Sequence, residues 1–487
     1  MKEKFSEWLE ANSDLSSNSC DKYVRAVKQI SKEMQEKGTI SLPLYSIKNS
    51  NTFKEIMDKI FQDKDFIEKN GRGNRMYSRG LEYYLKFLRS QCEQMVEVII
   101  PHVQAYIASK GYTYDADLIN NRYLSLKSKP FVILAGISGT GKSKLAKLFA
   151  EAIDAKFKLI PVRPDWSDST DLFGYVNLKG EFQPGCLTEF IKEANKKENL
   201  SKPYIVCLDE MNLARVEHYF SDVLSVIETR ELKDGRITSA PFMNETVFGN
   251  NEKIKNEYGS LYFSENLYFI GTVNMDETTF PFSKKVLDRA NTIELSDVNL
   301  ELGLHSREEK LGEDNVSPVP IDNKILMGEY KGLRDCYEEN KKAVTGIISI
   351  LTEINKCLEN SNAQIAYRVR DEISYYITYA LKYNLLDYDQ AMDNCFMQKI
   401  LPRIQGSGEE VSELLIRLFN LCIKEEEYKD KHIEIRSDSR LEMAKQLLDD
   451  SANSETAAIF RYPRSAKKIV FMLKKCEGDL GYATYWI

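Results

Sequence analysis

Apolar residues change their spacing twice along this chain, and each change marks a boundary. Over residues 1–90 they recur at helical intervals. Phe5, Trp8 and Leu9 share one face, and Tyr23, Val27, Ile30 and Met34 form another. A Ser/Asn-rich break at 12–18 parts these two helices. Lys69-Asn70-Gly71-Arg72-Gly73-Asn74 interrupts the pattern again, before a helix carrying Tyr77, Leu81, Tyr84, Leu85 and Leu88. A further helix is expected over about 92–109, inside a helical linker spanning 91–130. The first change comes at Phe131-Val132-Ile133-Leu134-Ala135, a continuous apolar run ending in glycine, as in a strand buried on both faces. Similar runs recur at 204–208 and 267–272, and strands alternate with helices to about residue 300. That alternation predicts an α/β domain over 131–300, a parallel sheet sandwiched by helices. The second change follows a polar, Pro-containing stretch at 308–322. Beyond it the helical pattern returns, with short breaks such as Gly406-Ser407-Gly408. The expected organisation is an all-α N-terminal domain (1–90), the linker, the α/β core and a helical lid and C-terminal region (301–487).

Composition narrows the class. The 487 residues are 43% hydrophobic and 29% charged, ordinary for a folded chain with a sizeable core. A net charge of −7 gives no global attraction to nucleic acid or anionic membrane, so any DNA contact needs a local basic patch. The nine cysteines are scattered singly with no C-x-x-C pair, a pattern of reduced thiols in a cytoplasmic protein. No apolar run reaches the roughly 18 residues of a membrane span.

The candidate chemistry begins where the first buried run ends. Gly136-Ile137-Ser138-Gly139-Thr140-Gly141-Lys142-Ser143 matches the P-loop pattern at every fixed position, and it follows a strand and opens an amphipathic helix. Its glycines let successive backbone N–H groups of Gly136, Ser138, Gly139, Thr140 and Gly141 turn toward phosphates. Lys142 neutralises the β- and γ-phosphates, and the Ser143 hydroxyl ligates Mg²⁺. The helix behind aims its positive end at the same anion. The second apolar run ends in Asp209-Glu210, at the sheet edge where the P-loop also lies. Asp209 is the second candidate metal group, and Glu210 the candidate general base; alone, such a pair can equally be a helix N-cap. The third run delivers Asn274, which can hydrogen-bond the attacking water or γ-phosphate. Arg289 follows as a candidate catalytic arginine working across a subunit boundary; its plain alternative is a salt bridge to Asp288 or Glu294.

With those residues in place, the sequence resembles AAA+ ATPases of the helix-2-insert clade, and within it the McrB family of modification-dependent restriction motors. The likeness is carried by Val162-Arg163-Pro164-Asp165-Trp166-Ser167-Asp168, Asp171-Leu172-Phe173-Gly174-Tyr175, Gly180-Glu181-Phe182-Gln183-Pro184-Gly185 and Asp209-Glu210-Met211-Asn212-Leu213-Ala214-Arg215. It continues in Gly271-Thr272-Val273-Asn274-Met275-Asp276-Glu277, Tyr367-Arg368-Val369-Arg370-Asp371-Glu372, Lys399-Ile400-Leu401-Pro402 and Tyr462-Pro463-Arg464-Ser465-Ala466-Lys467-Lys468. Two departures stand out. Glu277 occupies the place of the aspartate in the family's M-N-T-A-D sensor, and Asp288 precedes Arg289 where consecutive arginines are usual. The residues are satisfied by GTP or by ATP.

The resemblance implies a ring, a hexamer in relatives, with Lys142, Ser143, Asp209 and Glu210 from one subunit meeting Arg289 from the next. It also implies a lid arginine, Arg368 or Arg370, in phosphate sensing; a solvated helix face is the alternative. DNA would be cut by a separate McrC-like nuclease subunit, since Pro164-Asp165 lacks the following E-x-K of a built-in nuclease. A MoxR-like protein-remodelling ATPase is the competing reading, and a switch that hydrolyses only with a partner is a third. Between residues 69 and 89, Lys69, Arg72, Arg75, Arg79, Lys86 and Arg89 face the single acid Glu82, with Tyr77, Tyr83 and Tyr84 interleaved. That is a candidate DNA face; tyrosines at helical spacing are otherwise core.

Overall fold

The computed structural model describes all residues except 48–49, 180, 234–235, 244–247, 249–250, 276–279, 297–315, 331, 360, 425–458, 479–480 and 487. Gly180 of the expected hairpin, and Asp276 and Glu277 of the sensor segment, therefore lie outside the described residues. The chain divides into two units, Met1–Ile99 with Arg230–Thr238, and Ile100–Thr229 with Ser239–Ile487. Among the described residues no helix is long and apolar enough to cross a membrane.

The first unit is built from the helices Lys2–Asn12, Ser17–Glu36, Ser50–Phe61 and Lys64–Arg72 and from the part of the long helix Met76–Ser109 up to Ile99. The last of these runs unbroken through the expected start of a separate helix at 92, with Pro101 inside it. Side chains close two of the N-termini: Ser16 accepts from the Ser19 N–H, and Asp63 from the Phe66 N–H. The core gathers Phe5, Leu9, Val27, Ile30, Phe53 and Phe87 around Tyr84. Phe5, Tyr45 and Phe53 meet the Tyr84 ring edge-on at centroid distances of 5.0, 5.1 and 4.9 Å. Tyr84 is thus a core residue and is withdrawn from the candidate DNA face.

The second unit holds a five-stranded parallel sheet of β1 (Phe131–Gly136), β2 (Lys156–Pro161), β3 (Tyr204–Asp209), β4 (Leu267–Asn274) and β5 (Asn291–Glu294). Its spatial order is β2-β3-β4-β1-β5. The three inner strands are buried almost throughout, while the edge strand β2 is exposed or half-covered except at the buried Ile160. Register places Gly136 opposite Asn274, and Leu208 opposite Gly271. The strand ends carrying the P-loop, the acidic pair and the candidate sensor asparagine consequently share one edge.

Two helices fasten the P-loop from behind. Arg122 on α1 (Ala116–Ser128) is fully buried, lies 4.6 Å from the Phe149 ring of α2 (Lys142–Ala152), and donates to the Ala146 carbonyl at 3.4 Å. Burial lowers its pKa to about 9, still a cation at neutral pH. Just before α1, the Tyr114 hydroxyl donates to the Gly141 carbonyl at 3.0 Å, and burial pushes its pKa up to about 12.

The C-terminal half is helical, including α4 (Tyr367–Lys382) and α5 (Pro463–Glu477), with α3 (Ser221–Ile227) belonging to the core. Its junction with the core is polar. Glu372 on α4 takes Lys129 on one oxygen and Lys399 on the other at 2.5 Å. Lys399 also donates to the Ala290 carbonyl at 2.6 Å, and Lys468 of α5 reaches Glu294 at 2.8 Å. Each charge named at this junction is paired, which offsets the cost of burying it.

Two outcomes check this packing. Glu329 is buried between Lys382 at 2.6 Å and Lys127 at 3.6 Å. Burial would raise its pKa, but the two lysines outweigh that and bring it down to about 2. Its folded value lies below its unfolded one, so its contribution is complete above about pH 4.5 and is lost as pH falls toward about 2. Glu329→Gln should cost on the order of 3 kcal/mol at pH 7, with the gap to wild type narrowing below about pH 4.5 in denaturant titrations. The second concerns Gly141, at φ 81°, where an added Cβ would stand 2.6 Å from the Tyr114 hydroxyl oxygen, whereas nothing lies within 4 Å of one at Gly139. Gly141→Ala should lower the thermal midpoint more than Gly139→Ala, and Tyr114→Phe should cost less in the Gly141→Ala background than in wild type.

Candidate active site

A chain of side-chain contacts crosses the three inner strand ends. The Ser143 hydroxyl, at the start of α2, donates to Asp209 Oδ1 at the end of β3. Thr272 of β4 donates to that same oxygen at 2.7 Å and accepts the Glu210 backbone N–H at 3.0 Å. Asn274 Nδ2 stands 3.5 Å from Glu210 Oε1. Each contact follows from strand order: β4 lies between β1 and β3, so its last residues bridge the P-loop and the acidic pair. Glu210 itself takes the left-handed conformation, φ 52° and ψ 50°. For a non-glycine residue that backbone is costly and occurs where the surrounding structure imposes it. The bend leaves Glu210 exposed at the end of a buried strand.

The P-loop is held tightly. An added Cβ at Gly136 would come within 2.2 Å of the Leu295 carbonyl oxygen, so only glycine lets β1 leave the sheet here. Lys142 is buried and its Nζ donates to the Gly136 and Ile137 carbonyls at 3.0 and 2.7 Å. Thr140 closes the loop by donating to the Ile137 carbonyl at 3.0 Å. Ser138 and Gly139 are exposed at its tip. Among the described residues no three His, Cys, Asp or Glu side chains group as a metal site. Ser143 and Asp209 supply two oxygens, which suits a Mg²⁺ that takes its remaining ligands from water and phosphate. The residues present therefore fit a Mg-nucleotide.

Trp166 and the turn after Asp209 prove to be linked. Trp166 meets Tyr219 edge-on at 5.3 Å, and the Tyr219 hydroxyl donates to the Met211 carbonyl at 2.8 Å, bracing the turn that carries Glu210. Arg215 lies 5.3 Å from the Phe280 ring and, with Asn274 and His218, lines a cavity of 810 Å³.

The candidate arginines go elsewhere. Arg289 donates to the Lys285 carbonyl at 2.9 Å and stands 3.5 Å from Glu228, at the end of α3. Both salt-bridge partners expected for it are taken, Asp288 by Arg403 and Glu294 by Lys468. Arg368 is also paired with Glu228, while Arg370 is committed to Asp371. The cavity that Ile137 of the P-loop helps to line takes its cations, Arg464, Lys467, Lys468 and Lys475, from α5. They line 630 Å³ together with Ile137 and Met275. In the sequence this helix carries the family likeness of Tyr462 to Lys468 and no assigned role at the P-loop. The signal available was three cations at positions 464, 467 and 468, one helical turn apart.

In the first unit, Arg72, Arg75, Arg79 and Lys86 are exposed and Arg89 half-buried. Lys69 and Arg72 are already paired with Glu33 and Glu68, and Tyr77 and Tyr83 pack against the core.

One family comparison agrees with the architecture of the core. Residues 131–290 match the family described as an AAA domain of the dynein-related subfamily, and residues 319–480 match one described as a domain of unknown function, DUF8727. No curated protein matches the chain. A solved structure of a protein from Cytophaga hutchinsonii, titled as a candidate ATPase, shares 15% identity over 65% of this chain and 89% of its own, with a TM-score of 0.40. The parallel sheet, its P-loop and strand-end carboxylates, and the family match over the same residues give the core of this chain the AAA+ fold, set between helical regions.

Proposed function

We propose that this chain is a Mg²⁺-dependent nucleoside triphosphatase, using GTP or ATP, that assembles into a ring and drives a separate McrC-like nuclease subunit along DNA. The observation that carries the hydrolytic part is the contact chain Ser143–Asp209–Thr272–Glu210–Asn274 at one sheet edge. Lys142 and the loop N–H groups hold the phosphates, and Ser143 and Asp209 hold the metal. A Mg²⁺ held by Ser143 and Asp209 would supply neutralisation of phosphate charge. Glu210, turned out of the strand, accepts a proton from the attacking water while Asn274 orients it. The new bond forms between the water oxygen and the γ-phosphorus, and the bond from that phosphorus to the β-γ bridging oxygen breaks. Arg289, supplied by a neighbouring copy, stabilises the charge that develops.

The restriction role is supported by the McrB-like segments through Trp166, whose packing braces the Glu210 turn, and through Tyr462 to Lys468, which brings cations to the P-loop cavity. Exposed Arg72, Arg75, Arg79 and Lys86 are the proposed DNA contacts of the first unit. The AAA match over 131–290 is equally compatible with a MoxR-like remodelling ATPase, so the assay must separate the two.

Glu210→Gln should reduce phosphate release by about 10²-fold or more while nucleotide-supported assembly, read by sedimentation, persists. Unchanged turnover would remove Glu210 from the chemistry. Phosphate release measured with GTP and ATP, with and without DNA and the neighbouring gene product, should rise with DNA and a nuclease partner; stimulation by a protein client alone would favour remodelling. Arg79→Ala with Lys86→Ala should weaken DNA binding and flatten its salt dependence, with nucleotide hydrolysis in the absence of DNA unaffected.

A further inference from the structure

Hydrogen bonds run from the lid to the core through Asn394, and every donor in the run points the same way. Arg464 Nη1, on the first turn of α5, donates to Asn394 Oδ1 at 3.1 Å. Asn394 Nδ2 donates to the Tyr376 hydroxyl of α4 at 3.3 Å, and that hydroxyl donates to Asn121 Oδ1 of α1 at 2.8 Å. Asn121, Tyr376 and Asn394 are all buried, so each bond polarises the next, with a cation at the head of the run. The order also fixes the Asn394 amide. Its nitrogen is spent on Tyr376, which turns its oxygen to Arg464.

Both ends of the run are anchored. Asn121 Oδ1 also accepts from Gln398 Nε2, and Gln398 Oε1 accepts from the Ser125 hydroxyl of α1 at 3.2 Å. Gln398 lies on a π-helical turn, Phe396–Ile400, that continues the helix Tyr388–Cys395. The wider turn sends neighbouring side chains three ways: Gln398 to α1, Lys399 to Ala290 and Glu372, and Met397 into the P-loop cavity. At the other end, Asp393 accepts the Arg464 and Ser465 N–H groups on separate oxygens, each at 2.9 Å, and so satisfies two donors at the start of α5. Adjacent residues therefore hold Arg464 twice, Asp393 at the main chain and Asn394 at the guanidinium. Among the described residues the bond to Asn394 is the guanidinium's one hydrogen bond, and its other donors are left for the cavity it lines with Ile137 and Met275.

We propose that Asn394 is a positioning residue for nucleotide turnover, through which Tyr376 and Asn121 aim Arg464 at the polyphosphate held by the P-loop of the same chain. An arginine held at one nitrogen presents the rest of its fork in one orientation, whereas a free one is spread over many rotamers. The aim depends on the lid being seated on α1, whose Arg122 also fastens the helix behind the P-loop. This rests on the triphosphatase reading of the P-loop, and adds to it the residues that stand behind the cation.

The test uses full-length chains carrying Tyr376→Phe, Arg464→Gln or both. Each is titrated with a fluorescent, non-hydrolysable GTP or ATP analogue and with the matching diphosphate. Tyr376→Phe removes one hydroxyl from the run and keeps the ring in its packing. It should lower the preference for triphosphate over diphosphate by about threefold or more, and kcat/KM for phosphate release by a similar factor. In the Arg464→Gln background the same substitution should change neither. An equal loss in both backgrounds would mean that the hydroxyl serves the fold alone, and overturns the proposal. An unchanged preference in Tyr376→Phe or in Arg464→Gln overturns it as well. Asn394→Leu, which removes both bonds at similar volume, should match Arg464→Gln, and a wild-type preference in the folded Asn394→Leu chain counts against the proposal in the same way. Wild-type chains that bind neither nucleotide would fail the triphosphatase reading and take this inference with it; failure of the double-variant pattern alone leaves that reading standing.

Discussion

The pair of hydrogen bonds made by Thr272 is the constraint on which the site depends. Its hydroxyl gives its proton to Asp209 and receives the Glu210 N–H, so one side chain on the middle strand fixes both members of the acidic pair. With Asp209 also taken by Ser143, the start of α2 and the ends of β3 and β4 become one rigid edge. The left-handed turn at Glu210 is stabilised by the same bond. Without an acceptor for its N–H, the residue would have little reason to leave the extended conformation of its strand.

A second network, electrostatic and buried, joins this edge to the lid. Glu372 sits between Lys129, just ahead of β1, and Lys399 of the lid, and Lys399 reaches on to the carbonyl that follows Arg289. Burial lowers the pKa of Lys399 to about 8, while Glu372 opposes that shift. Charges placed like this contribute little net stability compared with an apolar seam, but removing one partner leaves the other stranded. That property suits a junction that must hold one arrangement of lid and core against another.

The inner strands were legible in the sequence because burial on both faces permits an unbroken apolar run, as in Phe131 to Ala135. The edge strands were not. Lys156-Phe157-Lys158-Leu159 has no unbroken apolar run because β2 is mostly uncovered, with Leu159 itself exposed, and Asn291-Thr292-Ile293-Glu294 is too short and too polar to stand out. The same logic explains Tyr84. Beside arginines and lysines in sequence it looks like a stacking residue, but the three rings around it come from distant helices.

The sequence by itself determined the anion loop, the strand-end carboxylates and the alternation that makes a parallel sheet, because those depend on local residue chemistry and on periodicity. Tertiary structure alone decided that Thr272 bridges the acidic pair, that α5 rather than Arg368 supplies the cations beside the P-loop, and that Arg289 and Arg368 share Glu228. The reason is that a long flexible cation can reach any of several carboxylates, and which one it meets is set by the packing of elements far apart in the chain.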